Sequence, residues 1–96
     1  MKQQLKLLKA LANETRLKIV EFLLGGEQCV CKIYPCVKRS QPTISFQLSK
    51  LEDLGIVKQR RDGKYMYYSI ADDKVKRVMI ALNGGKKDVR RKKGIC

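Results

Sequence analysis

The chain has 96 residues, enough for one compact domain with a modest core and too few for two. Its 22 Lys and Arg residues against nine Asp and Glu residues give a net charge of +13, which attracts polyanions and makes nucleic acid the leading candidate partner. That charge exceeds what solubility alone requires. No stretch is apolar for long enough to be a signal peptide or to cross a bilayer, so we expect a cytoplasmic protein without a membrane partner.

Two helices are predicted in the N-terminal part of the chain. Residues Lys2 to Leu11 place three leucines at helical spacing, which indicates a short amphipathic helix. Asn13 is a favourable N-cap for a second helix, and Gly25-Gly26 is expected to end it. Apolar residues are so broadly distributed on this second helix that we expect it to be almost wholly core.

A short third helix is predicted around Pro35, where apolar residues again recur at helical spacing. Proline lacks the backbone N–H and is tolerated only near the start of a helix. The helix therefore begins near Lys32 or later, or an earlier helix is distorted. In either case the segment from Cys29 to Cys31 is expected to lie at a frayed or extended helix entrance.

A fourth helix is predicted to follow the N-cap Ser40 and to end at Gly55. Its buried stripe is expected to consist of Ile44, Leu48, Leu51 and Leu54. The opposite face is polar except for Phe46, whose ring gains nothing from a monomer core and should meet something outside it. Two short helices in this order are typical of a helix-turn-helix pair.

A β-hairpin and a last helix complete the predicted elements. The stretch IVKQRRDGKYMYYSIA indicates two strands joined by a turn at Asp62-Gly63, where both turn positions are expected to have positive φ. A helix from about Asp72 to Asn83 follows and is closed by Gly84-Gly85. Its apolar stripe consists of Val75, Val78, Met79 and Leu82.

Together these elements predict a mainly α-helical domain with a β-hairpin wing, the winged helix-turn-helix architecture, over residues 1–83. Residues 84–96 form a basic tail that is expected to be flexible without an anionic partner. The first and last helices each carry an apolar stripe with little core left to cover. We therefore expect a homodimer in which these two helices pair with their copies.

The second helix of the pair and the wing carry side chains that suit DNA. The helix offers hydroxyls and amides for base edges, and the basic residues of the wing suit phosphates. The candidate DNA contacts are Ser40, Gln41, Thr43, Ser45, Phe46, Gln47, Lys50, Arg60, Arg61 and Lys64. Two alternatives are a structural domain whose polar face is only solvated and a nonspecific architectural protein, which would bind all sequences equally.

The segments ALANETRLKIVEFLL, CVCKI and SQPTISFQLSKLEDLGIVKQRRDGKYMYYSI resemble the ArsR/SmtB family of winged-helix metal-sensing repressors, in the same order and spacing. The resemblance implies a cytosolic homodimer that binds a palindromic operator and leaves it when an effector binds, with no permanently bound cofactor. It also implies that Gln41, Thr43, Ser45 and Gln47 occupy the positions that read DNA.

The resemblance also implies a role for three neighbouring cysteines. Cys29 and Cys31 match the Cys-Val-Cys box of arsenite-type members, whose usual third ligand lies three residues further on. That position is Tyr34 here, and the available thiol is Cys36. The implied effector is a thiophilic ion: trivalent arsenic or antimony with three thiolates, or cadmium, lead or zinc with a fourth ligand. Cys96, in the basic tail, could stand in for the extra ligand that cadmium needs, but it matches no position of the family.

Geometry limits how these thiols can meet. In an ideal helix Cys29 and Cys31 point about 200° apart, and Cys29 and Cys36 lie about 10.5 Å apart along the axis. Thiolates that share one ion must come within about 4 Å of each other, so binding is expected to pull the helix entrance out of regular geometry. The predicted fourth helix is the recognition helix, which reads DNA, and it follows almost at once. This distortion would therefore tilt the recognition helix or shift the dimer away from its two half-sites.

Two alternatives remain for the same cysteines. Lys32, Lys38 and Arg39 lie nearby and favour thiolates, which suits a thiol redox or persulfide switch. A disulfide between Cys29 and Cys36 would then need the intervening segment to loosen. The other alternative is that these cysteines are small core residues without chemical function. An enzyme is not expected, because the chain has no histidine for general base work and no Cys-x-x-Cys after a strand.

Overall fold

The structure, a computed structural model, describes residues 2–82, apart from the side chain of Gln3. The elements in chain order are α1 Lys2–Leu11, α2 Glu14–Leu23, β1 Gln28–Cys29, α3 Val30–Val37, α4 Gln41–Asp53, β2 Val57–Asp62, β3 Tyr65–Ile70 and α5 Asp73–Leu82. The strands form one antiparallel sheet in the order β1-β3-β2, and β2 and β3 form the wing. The winged helix-turn-helix prediction is confirmed, while the predicted tail of residues 84–96 and the predicted stop at Gly84-Gly85 lie outside the described residues.

Polar caps set the beginnings of α2 and α4, as predicted. Asn13 Oδ1 accepts a hydrogen bond from the Arg16 N–H at 3.1 Å, and Ser40 Oγ accepts one from the Thr43 N–H at 3.3 Å. Gly55, with φ of 77°, follows the C-cap of α4 in the left-handed conformation that favours glycine. These local signals fix the length and start of the recognition helix α4.

The turn between α3 and α4 is held in place by backbone and side-chain hydrogen bonds. Lys38 has φ of 64°, and the N–H groups of Lys38 and Arg39 both donate to the Tyr34 carbonyl, at 3.0 and 3.2 Å. The Arg39 guanidinium also donates to Thr15 Oγ1 at 3.3 Å. The turn is therefore attached to α2, which fixes the direction in which α4 leaves it.

One hydrophobic core lies between the helices and the sheet. Its buried residues are Ala10, Leu11, Ile19, Val20, Leu23, Ile33, Val37, Ile44, Leu48, Leu51, Ile56, Val57, Tyr68, Ile70, Val75 and Met79. The prediction that α2 is almost wholly core was too broad, because Leu17 and Phe22 are only partly buried. The prediction for Leu54 was wrong: it is 45% exposed, because α4 ends at Asp53 and the chain turns there.

The wing is shifted by one residue from its predicted turn. Asp62 pairs with Tyr65 as the last rung of the hairpin, so the two-residue turn consists of Gly63 and Lys64 rather than Asp62-Gly63. Gly63 has φ of 64°, and Lys64 is not among the described residues with positive φ. A turn with glycine first needs positive φ at that position alone, which leaves Asp62 in the extended ladder.

The third helix begins earlier than its proline suggests. It starts at Val30 rather than near Lys32 or later, and Pro35 is its sixth residue. The prediction of a start near Lys32 or later was therefore wrong, and α3 continues through Pro35 to Val37 although the Cys31 carbonyl loses its usual i+4 donor there. The two-residue strand Gln28–Cys29, which precedes α3, was not predicted.

The last helix begins one residue after its predicted start. Asp72 lies outside it, and its Oδ1 accepts a hydrogen bond from the Lys74 N–H at 2.9 Å. On the predicted stripe, Val75 and Met79 are buried and Leu82 is 66% exposed. Leu82, at the exposed end of this stripe, is not among the core residues of the part of the chain that the structure describes.

Candidate nucleic-acid interface and thiol site

The recognition helix presents most of its predicted DNA contacts to solvent. Gln41, Thr43, Ser45 and Phe46 are exposed on α4, on the side away from the core. Ser40 caps the helix, and its hydroxyl donates to Thr43 Oγ1 at 3.0 Å, so these two hydroxyls also stabilise the helix start. An exposed helix N-terminus with short polar side chains is suited to base edges and phosphates in a major groove.

Gln47 has a different environment from the other predicted contacts. Its Oε1 accepts a hydrogen bond from Arg16 Nε at 2.9 Å, and the residue is only partly exposed. Arg16 also donates to the Ala10 carbonyl at 3.3 Å and so connects α1, α2 and α4. The Gln47 amide thus holds α4 against the rest of the domain.

Phe46 is 58% exposed on the outer face of α4. The Lys50 ammonium lies 5.3 Å from the centre of its ring, one helical turn further along. This pair combines an apolar surface with a positive charge on the face that points away from the core. It is suited to a thymine methyl group beside a phosphate.

The wing contributes basic side chains, but one of them is already paired. Arg60 makes a two-fold contact with the Glu27 carboxylate, Nε at 2.9 Å and the terminal nitrogen at 2.8 Å, and its guanidinium lies 4.9 Å from the centre of the Tyr67 ring. The hydrogen bond from Arg60 holds the pKa of Glu27 below its ordinary value, and the same bond raises the pKa of Arg60. Arg61 and Lys64 are exposed at the tip.

The structure pairs the sulfur atoms of Cys29 and Cys31, whose Cα atoms lie 5.1 Å apart. Cys29 has extended backbone angles, φ of −74° and ψ of 143°, and is the N-cap of α3, while Cys31 is already helical. The Cys31 N–H donates to Cys29 Sγ at 3.2 Å. The predicted extended entrance is confirmed, and because Cys29 lies outside the helix, the two sulfurs meet without distortion of α3.

The cysteine pair is attached to the wing by the unpredicted strand β1. In the sheet, Gln28 pairs with Tyr68 and Cys29 pairs with Tyr67, which in turn pairs with Arg60 on β2. Glu27, directly before β1, contacts Arg60 across this row. The thiols are therefore coupled to the wing on one side and to the helix-turn-helix pair on the other.

Cys36 lies on α3, five residues after Cys31 and about 7.5 Å further along an ideal helix axis. Among residues 2–82, no group of three or more His, Cys, Asp or Glu side chains is arranged to hold a metal ion. The assignment of Cys29, Cys31 and Cys36 as a joint ligand set stays a prediction, and Cys96 lies outside the described residues.

Sequence reasoning did not find Arg16, Glu27 or strand β1. Arg16 and Gln47 are 31 residues apart and Glu27 and Arg60 are 33 residues apart, so no local pattern could pair them. A two-residue strand is too short to show alternation. The sequence indicates β1 only through its position between Gly25-Gly26 and helix α3.

The fold and this surface define a winged helix-turn-helix DNA-binding regulator rather than an enzyme. Residues 13–59 match the model of the bacterial regulatory protein, arsR family. The chain belongs to the ArsR family. None of the helices in residues 2–82 is long and apolar enough to span a membrane.

Three related proteins illustrate this membership. An uncharacterised HTH-type transcriptional regulator of Methanocaldococcus jannaschii is 44% identical over 77% of this chain and 84% of its own length. The cadmium resistance transcriptional regulatory protein CadC homolog of Staphylococcus aureus is 44% identical over 77% of this chain and 62% of its own. The arsenical resistance operon repressor of Escherichia coli is 41% identical over 70% and 58%. The chain thus spans less than two thirds of the last two.

Solved structures agree with the fold. The transcriptional repressor BigR from Xylella fastidiosa superimposes with a TM-score of 0.83 at 34% identity, over 86% of this chain and 85% of that one. The homodimeric winged helix-turn-helix DNA-binding domain Mb0332 from Mycobacterium bovis gives a TM-score of 0.79 at 33% identity, over 91% and 81%.

Proposed function

We propose that this protein is a cytoplasmic, homodimeric transcriptional repressor that holds a palindromic operator while its thiols are unoccupied. Binding of a thiophilic ion to the thiolates of Cys29 and Cys31, with Cys36 as the third ligand, then releases the DNA. Trivalent arsenic or antimony is the proposed effector, and cadmium or another soft metal would need a further ligand. The ion acts as a signal and not as a resident cofactor.

One observation carries this proposal: the two sulfurs already meet at the point where α3, the wing and the helix-turn-helix pair join. Once reduced, these two neighbouring cysteines would supply two of the three thiolate ligands that a trivalent metalloid takes. Since Cys36 lies about 7.5 Å further along the α3 axis, recruiting it as the third ligand would have to bend α3. Pro35 lies between the ligands and lowers the cost of that bend.

The names of the relatives support the class of effector. One is a cadmium resistance regulatory protein homolog, and another is an arsenical resistance operon repressor. The all-sulfur character of the proposed site fits both a soft metal such as cadmium and a metalloid such as arsenic. With no histidine in the chain, a site of mixed imidazole and carboxylate ligands is not supported.

A second function, a thiol redox switch, is favoured by the same pair. The Cα distance of 5.1 Å lies within the range that a disulfide requires. The bond would form between Cys29 and Cys31, without the loosening that a Cys29–Cys36 disulfide would need. A persulfide formed on either cysteine would be attacked by the thiolate of the other, which gives the same disulfide and releases sulfide.

A titration of operator DNA at fixed salt would test the proposal. Arsenite, antimonite, cadmium, zinc and an oxidant should each be added to the wild-type protein and to Cys29→Ser, Cys31→Ser and Cys36→Ser. We expect arsenite to weaken DNA binding about 5- to 150-fold in the wild type and not in the first two variants. Release by the oxidant alone would favour the redox switch. No release by any agent would contradict both functions.

A further inference from the structure

A groove of about 320 Å³ lies between the cysteine pair, the recognition helix and the wing. Cys29 and Cys31 line one side, Gln41 and Ser45 of α4 line another, and Lys64 lies at the wing turn. Among the described residues that line it, Lys64 alone carries a charge. We name it the thiol groove.

We propose that the thiol groove binds the disulfide form of a low-molecular-weight anionic thiol, such as a short cysteine-containing peptide, and that Cys31 undergoes thiol–disulfide exchange with it. This site would make the protein responsive to the redox state of the small-thiol pool. Its effect on DNA rests on the proposed function, in which modification of the cysteine pair releases the operator.

The two cysteines have different environments, which assigns different roles to them. Cys31 is exposed, while Cys29 is partly buried in strand β1. The greater exposure of Cys31 therefore favours it as the thiol that attacks the small disulfide first. Cys29 Sγ accepts the Cys31 N–H at 3.2 Å at the start of α3, a position that stabilises a thiolate. Cys29 is thus placed as the resolving thiolate beside the sulfur that it would attack.

The exchange needs no oxidant other than the small disulfide itself. The Cys31 thiolate attacks one sulfur of the small disulfide, the bond between its two halves breaks, and one half leaves as a thiolate that takes up the proton lost by Cys31. The Cys29 thiolate then attacks Cys31 Sγ, forms the Cys29–Cys31 disulfide and expels the second half. Two protein thiols are oxidised, and one small disulfide is reduced to two thiols.

Charge and size argue for the class of ligand. The Lys64 ammonium and the absence of any carboxylate from the described lining favour an anionic occupant. A volume of about 320 Å³ lies at the lower end of small-molecule sites, which fits a short peptide. The Gln41 amide and the Ser45 hydroxyl can donate hydrogen bonds to its carboxylates.

The groove also connects this chemistry to DNA. Gln41 and Ser45 are proposed base contacts and Lys64 is a proposed phosphate contact, so a molecule attached to Cys31 would occupy space that the operator needs. DNA and the adduct would exclude each other directly until Cys29 expels the second half, after which the Cys29–Cys31 disulfide remains at the entrance of α3. An ion at the same sulfurs would act through α3 instead.

The test uses the reduced full-length chain and two symmetric disulfides, anionic oxidised glutathione and cationic cystamine. Cys29→Ser should trap the mixed disulfide on Cys31, because serine is still a good N-cap but cannot resolve it. Peptide mass spectrometry would locate the adduct, and rates would be compared with those of a small free thiol. Lys64→Gln should lower the rate with oxidised glutathione about two- to fivefold. The matched control Lys58→Gln removes the same charge from exposed β2, outside the groove, and should change the rate less.

First modification at Cys36 or Cys96 would overturn this inference. Equal effects of Lys64→Gln and Lys58→Gln would also overturn it, since the net charge alone would then explain the preference. If Cys31 is modified as expected but the modified protein binds operator DNA unchanged, the groove site is supported and the coupling in the proposed function is contradicted.

Discussion

Phe46 and Gln47 are neighbours on the recognition helix. The Phe46 ring faces outward, whereas the Gln47 side chain holds α4 against the rest of the domain. Helical spacing correctly placed Phe46 opposite the buried stripe, where its ring remains 58% exposed. The same spacing could not show that Gln47 is engaged by Arg16, because the two residues are 31 positions apart. Periodicity predicts which side chains face the core, but the partner of a polar side chain at the edge of that stripe depends on tertiary packing.

Replacing Phe46 with alanine should weaken operator binding and leave folding stability almost unchanged, since the ring is mostly exposed. We expect the ring to pack on a thymine methyl group in the major groove, a contact of about 0.8 kcal/mol or about fourfold in affinity. Fluorescence anisotropy with operators in which single thymines are replaced by uracil would measure this contact.

A double-mutant cycle provides the control for Phe46. One thymine-to-uracil change should weaken binding of the wild type and have no further effect on Phe46→Ala. Additive effects at every thymine would show that the ring reads no methyl group.

At the level of elements, local signals located the helices well and the sheet less well. Asn13 and Ser40 predicted the starts of α2 and α4 because capping is a local interaction. The turn at Gly63 was misplaced by one residue because Asp-Gly and Gly-Lys both supply a glycine with positive φ. Strand β1 was missed because its two residues are specified by pairing with β3 and not by their own pattern.

The pairing of Glu27 with Arg60 makes a prediction about the wing. Glu27→Gln removes the carboxylate and makes the Arg60 guanidinium available to phosphates. We expect tighter DNA binding at low salt and a salt slope steeper by about 0.9. Glu21→Gln removes the same charge from α2 and serves as control. An equal effect of both variants would mean that the net charge, and not the release of Arg60, explains the tighter binding.

The same ion pair should respond to acid. Because the pKa of Glu27 is lowered from 4.5 by the hydrogen bond from Arg60, the contribution of the pair to wing order is complete above about pH 4.5 and is lost as the pH falls through the lower folded value. The Arg60 Nε–H resonance should shift in that acid range in the wild type. An identical titration in Glu27→Gln would contradict this assignment.

At the scale of the whole molecule, the exposed leucines of α1 and α5 support the proposed pairing of these helices with a second copy. Leu5, Leu8 and Leu82 are 54%, 58% and 66% exposed, although each lies on an apolar stripe. The candidate DNA contacts lie on other elements, α4 and the wing. The exposed apolar area agrees with the sequence-based expectation of a dimer, which stays a prediction because its contacts depend on a partner chain.

Leu8→Lys should weaken the dimer and leave the monomer fold intact. Removing a leucine from both copies costs about 3 kcal/mol, which corresponds to about a hundredfold in the dissociation constant. Analytical ultracentrifugation would measure it. Phe46→Lys is the matched control, because Phe46 is equally exposed at 58% but lies on α4. Dissociation caused by both variants, or by neither, would contradict the proposed interface.

The central claim is that thiol occupancy at the entrance of α3 and DNA occupancy at α4 oppose each other. Linkage requires that operator DNA weaken effector binding by the same factor by which the effector weakens DNA binding. The most direct measurement is the arsenite affinity of the wild-type dimer with and without saturating operator at one salt concentration. We predict an affinity about 5- to 150-fold lower with DNA bound, equal to the loss seen in the reverse titration. An arsenite affinity that operator DNA leaves unchanged would contradict the account.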